Sequence, residues 1–229
     1  MYKLGILGGM GPEATALFLE RVLANTRADA DDEHIPSVVL NNTLIPDRTA
    51  ALLGEGECPV AALQEDIDTL AALGVEVIAT PCNTAHAFLD RLVFPGHVTF
   101  VNMVAETLKV AGEEKLLAVL GTTGLNRVGV YERMGLHNRF LPLTDEEQTL
   151  TMDAITLVKA ARHAEAQEKL LASARLIRKR EPDVLFLLSC TELSVIRAAF
   201  EKEFSCIDAL EVLARKTVEA CDYPTKDVL

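Results

Sequence analysis

Short apolar segments alternate with amphipathic segments along the chain, and this alternation predicts an α/β protein. The apolar segments are β-branched or leucine-rich and end at glycine, proline or polar residues, as is typical of buried strands. We predict strands at residues 4–7, 38–40, 75–79, 97–101, 116–120, 140–143, 184–188 and 206–208. Apolar residues at helical spacing predict helices at residues 12–23, 59–73, 104–111, 128–134, 145–180 with a break near 162, and 209–220. Strands that alternate with helices pair in parallel, with both faces of each sheet covered.

Two parts of this pattern occur twice. Residues 4–11 (LGILGGMG) resemble residues 117–124 (LAVLGTTG), and each is a strand that ends in a Gly-rich turn. A strand also runs into Cys82 and another into Cys190, with a threonine and a helix-like segment after each. We therefore predict two pseudo-symmetric open parallel-sheet (Rossmann-like) halves with a ligand cleft between them. Residues 1–100 with 208–229 would form the half that carries Cys82, and residues 101–207 the half that carries Cys190.

Composition and charge narrow the possible classes of function. The chain has 229 residues, of which 49% are hydrophobic, and this is enough for a large core. A formal net charge of −12 disfavours nucleic acid as a partner. No apolar run approaches the roughly 20 residues of a membrane helix, and the N-terminal residues do not form a signal peptide. We therefore expect a cytoplasmic protein without a membrane partner.

The cysteines are unlike those of a disulfide framework or a zinc site. Their number, five, is odd, and no pair has the C-x-x-C spacing. Free thiols in a reducing cytosol are expected, with no metal. A cysteine at a strand end is often only structural. However, a thiol at a helix N-terminus feels the positive end of the helix dipole, which favours thiolate.

Two equivalent strand-end thiols around one ligand suit proton transfer at carbon. One thiolate removes a proton, and the other thiol returns a proton to the opposite face. An ordinary cysteine has a pKa of about 8.5, and a helix dipole lowers it by roughly one unit or less. Hydrogen bonds and substrate charge would have to supply the rest. The two thiols should not ionise together, because like charges raise each other's pKa.

Four segments resemble the aspartate racemase branch of the aspartate/glutamate racemase superfamily. They are Gly8-Gly9-Met10-Gly11-Pro12-Glu13-Ala14-Thr15, Ile45-Pro46-Asp47-Arg48-Thr49, Pro81-Cys82-Asn83-Thr84-Ala85-His86 and Cys190-Thr191-Glu192-Leu193. The resemblance covers nearly the whole chain, and the four segments occur in the right order. The resemblance implies a cofactor-independent amino-acid racemase, without pyridoxal phosphate or metal, that acts on a small acidic amino acid and forms a homodimer.

The resemblance also implies roles for individual residues. Cys82 and Cys190 would be the two catalytic bases. Arg48 would hold the side-chain carboxylate of the substrate, with help from Lys159. The amino and α-carboxylate groups would be surrounded by Met10, Asn83, Thr84, Thr122 and Thr191. Glu192 is a further candidate, which would either ionise near Cys190 or favour the start of a helix.

The chain departs from the family pattern near two of these residues. Ser189 replaces the usual glycine before the second cysteine, and Ala160 and Ala161 follow Lys159 where a glycine is usual. The alanines put the role of Lys159 in doubt, since a lysine on an amphipathic helix is most simply a surface residue. Arg48 and His86 have ordinary alternatives as well, as a solvated loop arginine and a packed histidine.

Other functions stay open from the sequence. A related racemase or isomerase would use the same cysteines on glutamate or on a maleate-like diacid. The Gly-rich turn also fits G-x-G-x-x-G/A, which permits an NAD-dependent oxidoreductase with Asp29, Asp31 or Asp32 as the ribose-binding acid. A non-catalytic two-lobed binding protein fits the architecture but has no use for the thiols.

Overall fold

The computed structural model describes residues 2–113, 115–135 and 137–226. Within these ranges the strands lie close to the predicted positions. They are β1 (Leu4–Gly8), β2 (Ser37–Asn41), β3 (Val77–Ala79), β4 (Thr99–Val101), β5 (Leu116–Leu120), β6 (Arg139–Phe140), β7 (Leu185–Leu188) and β8 (Cys206–Asp208).

The strands form two parallel sheets with the same connectivity, which confirms the predicted fold class. The first sheet has the order β2-β1-β3-β4, and the second has the order β6-β5-β7-β8. Leu4 lies opposite Ser37 and Val77 in the first sheet, as Leu117 lies opposite Phe140 and Leu185 in the second. The repeat in the sequence is therefore a repeat in the structure.

Helices cover both sheets. They are α1 (Pro12–Asn25), α2 (Arg48–Leu53), α3 (Val60–Ala72), α4 (Met103–Ala111), α5 (Thr123–Arg127), α6 (Val130–Met134), α7 (Asp145–Lys159), α8 (His163–Arg180), α9 (Thr191–Val195), α10 (Arg197–Phe200) and α11 (Ala209–Ala220). None of the helices in the described ranges has the length and apolarity that crossing a membrane requires. All of β1 is buried, as expected for a strand between two helical layers.

Three local predictions need correction. The helix predicted at 128–134 begins only at Val130, because Gly129 adopts a left-handed φ of 63° that separates α6 from the short helix α5, which was not predicted. The strand predicted at 140–143 is shifted, since Pro142 has no N–H with which to continue the pairing of β6. The segment after Cys82 is a run of 3₁₀ turns over Thr84–Arg91 and not an α-helix.

The 3₁₀ geometry after Cys82 has a visible cause. An α-helix would need the Cys82 carbonyl to accept the backbone N–H of His86. That carbonyl is bonded to Nδ1 of the His86 ring at 2.9 Å, and the His86 N–H donates to the Asn83 carbonyl at 3.1 Å instead. The side chain therefore takes the acceptor that the helix would use.

The core around each sheet comes from different helices. Leu4, Ile6 and Val77 of the first sheet pack with α1 and with α11, near the end of the described chain. The second sheet packs against α7 and α8. The predicted boundary between the two halves, at residue 100, falls within strand β4, which ends at Val101. The division of the chain into two halves stays a prediction, and the position of α11 supports the inclusion of residues 208–229 in the first.

Candidate active site

One small cavity lies where the loops after β1, β3, β5 and β7 meet. The ten residues singled out from the sequence all line it, together with Asp47 and Thr49. The full lining is Met10, Asp47, Arg48, Thr49, Cys82, Asn83, Thr84, Thr122, Lys159, Cys190, Thr191 and Glu192. The cavity volume is about 20 Å³, which suffices for roughly one water molecule. The site residues therefore close tightly around a small space between the two sheets.

Cys82 lies in the loop between β3 and the 3₁₀ turns and is 6% exposed. Burial raises the pKa of its thiol above the ordinary value, because a thiolate loses hydration in the interior. The Arg48 guanidinium and the backbone N–H of Ala85 act in the opposite direction. The turn after Cys82 thus supplies a backbone N–H near the thiol, as a helix N-terminus would, although the turn is not α-helical.

Cys190 is the residue before the first turn of α9 and is equally buried. Its Sγ donates to Oε2 of Glu192 at 2.9 Å. Burial raises the pKa of Cys190 well above the ordinary value, and the Glu192 carboxylate raises it further. The Cys82 thiolate also raises it, which is the coupling expected of two thiols at one site. Cys190 is therefore held as a thiol more firmly than Cys82.

Hydrogen bonds connect the two sheets around the cysteines. Oγ1 of Thr84 and Oγ1 of Thr122 lie 3.0 Å apart. The Thr191 hydroxyl donates to the Pro81 carbonyl at 3.1 Å, so the residue after one cysteine holds the residue before the other. Thr122 also accepts the N–H of Leu125 and caps α5. Each threonine is thus held in place by bonds within the protein.

Arg48 is the first residue of α2, which Asp47 caps by accepting the N–H of Ala50 at 2.7 Å. Nη1 of Arg48 donates to the carbonyls of Ile45 and Pro46, both at 2.9 Å. Nε of Arg48 is buried without a hydrogen-bond partner among the described residues. The edge formed by Nε and Nη2 can pair with both oxygens of a carboxylate.

A glycine allows the helix that carries Arg48 to dock on the second sheet. A Cβ on Gly124 would come within 2.9 Å of Cα of Thr49, so only glycine permits this approach of α5 to α2. Gly124 belongs to the repeated Gly-rich turn of the sequence. The turn therefore positions a side chain from the other sheet, in addition to lining the site with Thr122.

Met10 is positioned by the first Gly-rich turn. Gly9 has a φ of 94°, and a Cβ there would lie 2.2 Å from the backbone oxygen of Asn42. The turn can therefore pass against the loop after β2 only with glycine at this position. It leaves Met10 4% exposed, against the cavity.

Lys159 ends α7 and is exposed to solvent, yet it lines the cavity. It also lines an adjoining cavity of about 390 Å³ that shares Asp47, Arg48 and Glu192 with the first. Lys159 is therefore a surface lysine at the mouth of the cavity, and its role in substrate binding stays a prediction. A cavity of about 660 Å³ beside α1, α10 and α11 contains none of the predicted site residues.

His86 does not line the cavity but is hydrogen-bonded to the loop that carries Cys82. Its Nε2 accepts the backbone N–H of Met103 at 3.1 Å, so Nδ1 carries the proton that is shared with the Cys82 carbonyl. Burial lowers the pKa of His86 from 6.5 to about 4, which keeps the ring neutral. The histidine joins the cysteine loop to the start of α4.

The arrangement does not fit the nucleotide-binding alternative. Asp29, Asp31 and Asp32 are exposed and precede β2, whereas the ribose-binding acid of such folds follows the second strand. Within the described ranges, no group of three or more histidine, cysteine, aspartate or glutamate residues is arranged to hold a metal ion.

Sequence reasoning missed three residues at or near the site. Asp47 and Thr49 flank Arg48 in a segment already singled out, so their proximity could have been inferred. Tyr131 could not, because it lies in a short helix with no distinguishing motif. Its hydroxyl donates to Oδ1 of Asn83 at 2.7 Å.

Comparison with known proteins identifies the family. The model of the Asp/Glu/Hydantoin racemase family matches residues 7–217. The chain is 25% identical over 220 residues to the broad specificity amino-acid racemase RacX of Bacillus subtilis, a match that covers 94% of this chain and 96% of that protein.

Solved structures show the same relationship. An aspartate racemase of Picrophilus torridus is 32% identical with a TM-score of 0.84, and the match covers 98% of this chain and 96% of that one. A glutamate racemase of Francisella tularensis in complex with D-glutamate shares the fold, with 11% identity, a TM-score of 0.65 and coverage of 96% and 80%. The chain therefore belongs to the Asp/Glu/hydantoin racemase family, and it is an isomerase of the racemase type.

Proposed function

We propose that the protein is a cofactor-independent racemase of aspartate or a similar acidic amino acid, and that Cys82 and Cys190 are its two bases. The observation that carries this proposal is the meeting of both cysteines with Arg48 at one closed cavity. Two thiols that approach from different sheets are suited to opposite faces of one carbon. An arginine with a free bidentate edge supplies the counter-charge for a side-chain carboxylate.

The proton transfer needs no oxidant or reductant. One cysteine, as thiolate, takes the proton from Cα, and the electron pair of the C–H bond passes into the substrate α-carboxylate system. The other cysteine, as thiol, gives its proton to the opposite face and becomes the thiolate. The product enantiomer leaves the two cysteines with exchanged protonation states, and proton exchange with water restores the starting state once the product has left.

The surroundings of the two cysteines favour one starting state. Arg48 opposes the effect of burial at Cys82, whereas Glu192 adds to it at Cys190. The enzyme therefore starts with Cys82 as the base and Cys190 as the acid. When Cys190 must be the base, Oε2 of Glu192 at 2.9 Å is the group placed to accept its proton.

Substrate recognition follows from the unpaired polar atoms. Nε of Arg48 and Nδ2 of Asn83 are both buried without hydrogen-bond partners among the described residues. Both are donors, and leaving a buried donor unsatisfied is costly, so an acidic ligand with two carboxylates matches them. Lys159 at the mouth adds positive charge beside Arg48. Met10, Thr84, Thr122 and Thr191 complete the walls.

The closed cavity implies that substrate enters through a more open form. A volume of about 20 Å³ cannot hold an amino acid, since ligand sites typically have a few hundred cubic ångströms. We take the two halves, residues 1–100 with 208–229 and residues 101–207, as the parts that separate. The five free cysteines support a cytoplasmic location, and the family resemblance supports a homodimer.

The test is exchange of the α-hydrogen in D₂O. We expect loss of the α-proton signal and appearance of the opposite enantiomer when the protein is incubated with L- or D-aspartate. A panel with glutamate and neutral amino acids distinguishes an acidic-substrate enzyme from one with the broad specificity of RacX. A Cys82→Ser/Cys190→Ser protein is the control. Exchange in no acidic amino acid would reject the proposed function.

A further inference from the structure

Tyr131 is a fully buried polar residue for which the two-cysteine mechanism has no role. It lies in α6 and belongs to the buried hydrophobic cluster that includes Leu117, Leu125 and Leu187 of the second half. Its hydroxyl donates to Oδ1 of Asn83, the residue that follows Cys82. A side chain anchored at one sheet thus ends on the catalytic loop of the other.

The Tyr131 hydroxyl remains protonated and can act as a donor. Burial raises the pKa of the phenol, while the hydroxyls of Ser189 and Thr107 beside it lower the pKa by a smaller amount. Ser189 is the residue before Cys190. The Tyr131 oxygen therefore lies between the neighbours of both cysteines.

The bond to Tyr131 determines which end of the Asn83 amide faces the cavity. An amide has an acceptor end and a donor end, and rotation by a half turn exchanges them. Oδ1 of Asn83 accepts the hydrogen bond from the Tyr131 hydroxyl. Nδ2 of Asn83 is buried with no hydrogen-bond partner among the described residues. Asn83 is one of the residues that line the cavity, and the unpaired end of its amide is a donor. The rotated amide would present an oxygen to an anionic substrate and repel it.

We propose that Tyr131 is a positioning residue that holds the Asn83 amide with its N–H groups toward a substrate carboxylate. The rigid ring gives the phenol oxygen one location, and the closed arrangement of the sheets brings Asn83 to it. Tyr131 thereby also makes carboxylate binding depend on closure. This inference rests on the proposed function, because it assigns the Asn83 donor to that substrate.

A double-mutant cycle tests the proposal. Tyr131→Phe keeps the ring and removes the hydroxyl. We expect kcat/KM for aspartate to fall about tenfold, mainly through KM, since a charged hydrogen bond is lost or misdirected. In Asn83→Ala, kcat/KM for aspartate should fall at least as far. Adding Tyr131→Phe to Asn83→Ala should then cause no further loss, because Tyr131 acts through Asn83. Equal fold losses in both backgrounds would overturn the proposal.

Thr107→Val is the matched control. It removes another buried hydroxyl beside the phenol, one that donates to the Met103 carbonyl and has no bond to Asn83. Its free energy of unfolding should fall, while kcat/KM stays within about twofold of wild type. A tenfold loss in this variant would show that any buried defect near Tyr131 slows the enzyme, and would overturn a specific role.

Side-chain amide NMR gives a readout that does not depend on activity. In the wild-type protein, the Nδ2 protons of Asn83 should give one pair of signals. In Tyr131→Phe these signals should broaden or double, as the amide samples both orientations. Unchanged signals would overturn the proposal even if kinetics changed. Absence of racemisation in the wild-type protein would reject the proposed function instead, and the NMR result would still decide whether Tyr131 orients Asn83.

Discussion

Acid should destabilise the folded protein through His86, and the size of the effect can be worked out from its contacts. Nε2 of His86 must be unprotonated to accept the Met103 N–H, while Nδ1 is bonded to the Cys82 carbonyl. Protonation would set Nε2–H against the Met103 N–H. The folded state therefore requires the neutral form of His86, whereas the same side chain in the unfolded chain takes up a proton more readily.

The magnitude follows from the displaced pKa. The pKa of His86 falls from 6.5 in the unfolded chain to about 4 in the fold, because the ring is buried. Each unit is about 1.36 kcal/mol, so the total is about 3 kcal/mol. The contribution is complete above pH 6.5 and is lost as the pH falls toward 4. Below the folded pKa, both states are protonated and no further loss occurs.

Urea unfolding between pH 7.5 and 4 measures this effect. The free energy of unfolding of the wild-type protein should fall by about 3 kcal/mol more over this range than that of His86→Gln, which has no ionisable ring. His97→Gln, at an exposed histidine, is the control and should follow the wild-type curve. Parallel curves for wild type and His86→Gln would refute the reasoning. So would an NMR titration of His86 with an ordinary midpoint.

Three predictions concern the chemistry. Cys82→Ser and Cys190→Ser should each abolish racemisation while each retains α-hydrogen exchange of one enantiomer, with opposite preferences; racemisation at the wild-type rate in either variant would remove that cysteine from the mechanism. Arg48→Ala should lower kcat/KM for aspartate more than tenfold, or roughly 1.4 kcal/mol, and should slow alkylation of Cys82, because the cation that lowers its pKa is gone. Unchanged aspartate kinetics would contradict the role of Arg48. Glu192→Gln should lower the pKa of Cys190, because the carboxylate that raises it is gone. Alkylation of Cys190 should then accelerate near neutral pH as racemisation slows, and an unchanged pH profile of alkylation would count against the proton exchange with Glu192.

The asymmetry between the two cysteines has a consequence for the two directions of reaction. Arg48 lowers the pKa of Cys82, whereas Glu192 raises the pKa of both cysteines but is hydrogen-bonded only to Cys190. The pH dependence of the reaction that starts with Cys190 as base should therefore be the one that changes in Glu192→Gln. The reaction that starts with Cys82 should change less, which separates a local role of Glu192 from a general loss of structure.

The sequence by itself determined the strands, their parallel pairing and the two cysteines at strand ends. These features depend on local apolar patterns and on chain breakers, which act over a few residues. Strand β5 and helix α11 have the predicted bounds for this reason. The internal repeat also placed Gly8–Gly11 and Gly121–Gly124 in equivalent turns.

Where local signals conflict, the prediction was wrong. Apolar residues after Cys82 favour an α-helix, but the His86 ring takes the Cys82 carbonyl and the segment becomes 3₁₀. Residues 128–134 favour one helix, but Gly129 adopts a left-handed φ and the helix begins only at Val130. In each case a single side chain or its absence outweighs the average pattern of the segment.

Only the tertiary structure decided which distant residues act together. The approach of Thr49 to Gly124 brings Arg48 to the cavity, and the bond from Tyr131 to Asn83 joins one sheet to the Cys82 loop of the other. Such contacts depend on how two separately formed sheets dock, and this geometry leaves no periodic trace in the chain. The sequence could specify the chemical groups of the site, whereas docking set their distances, burial and charge environment.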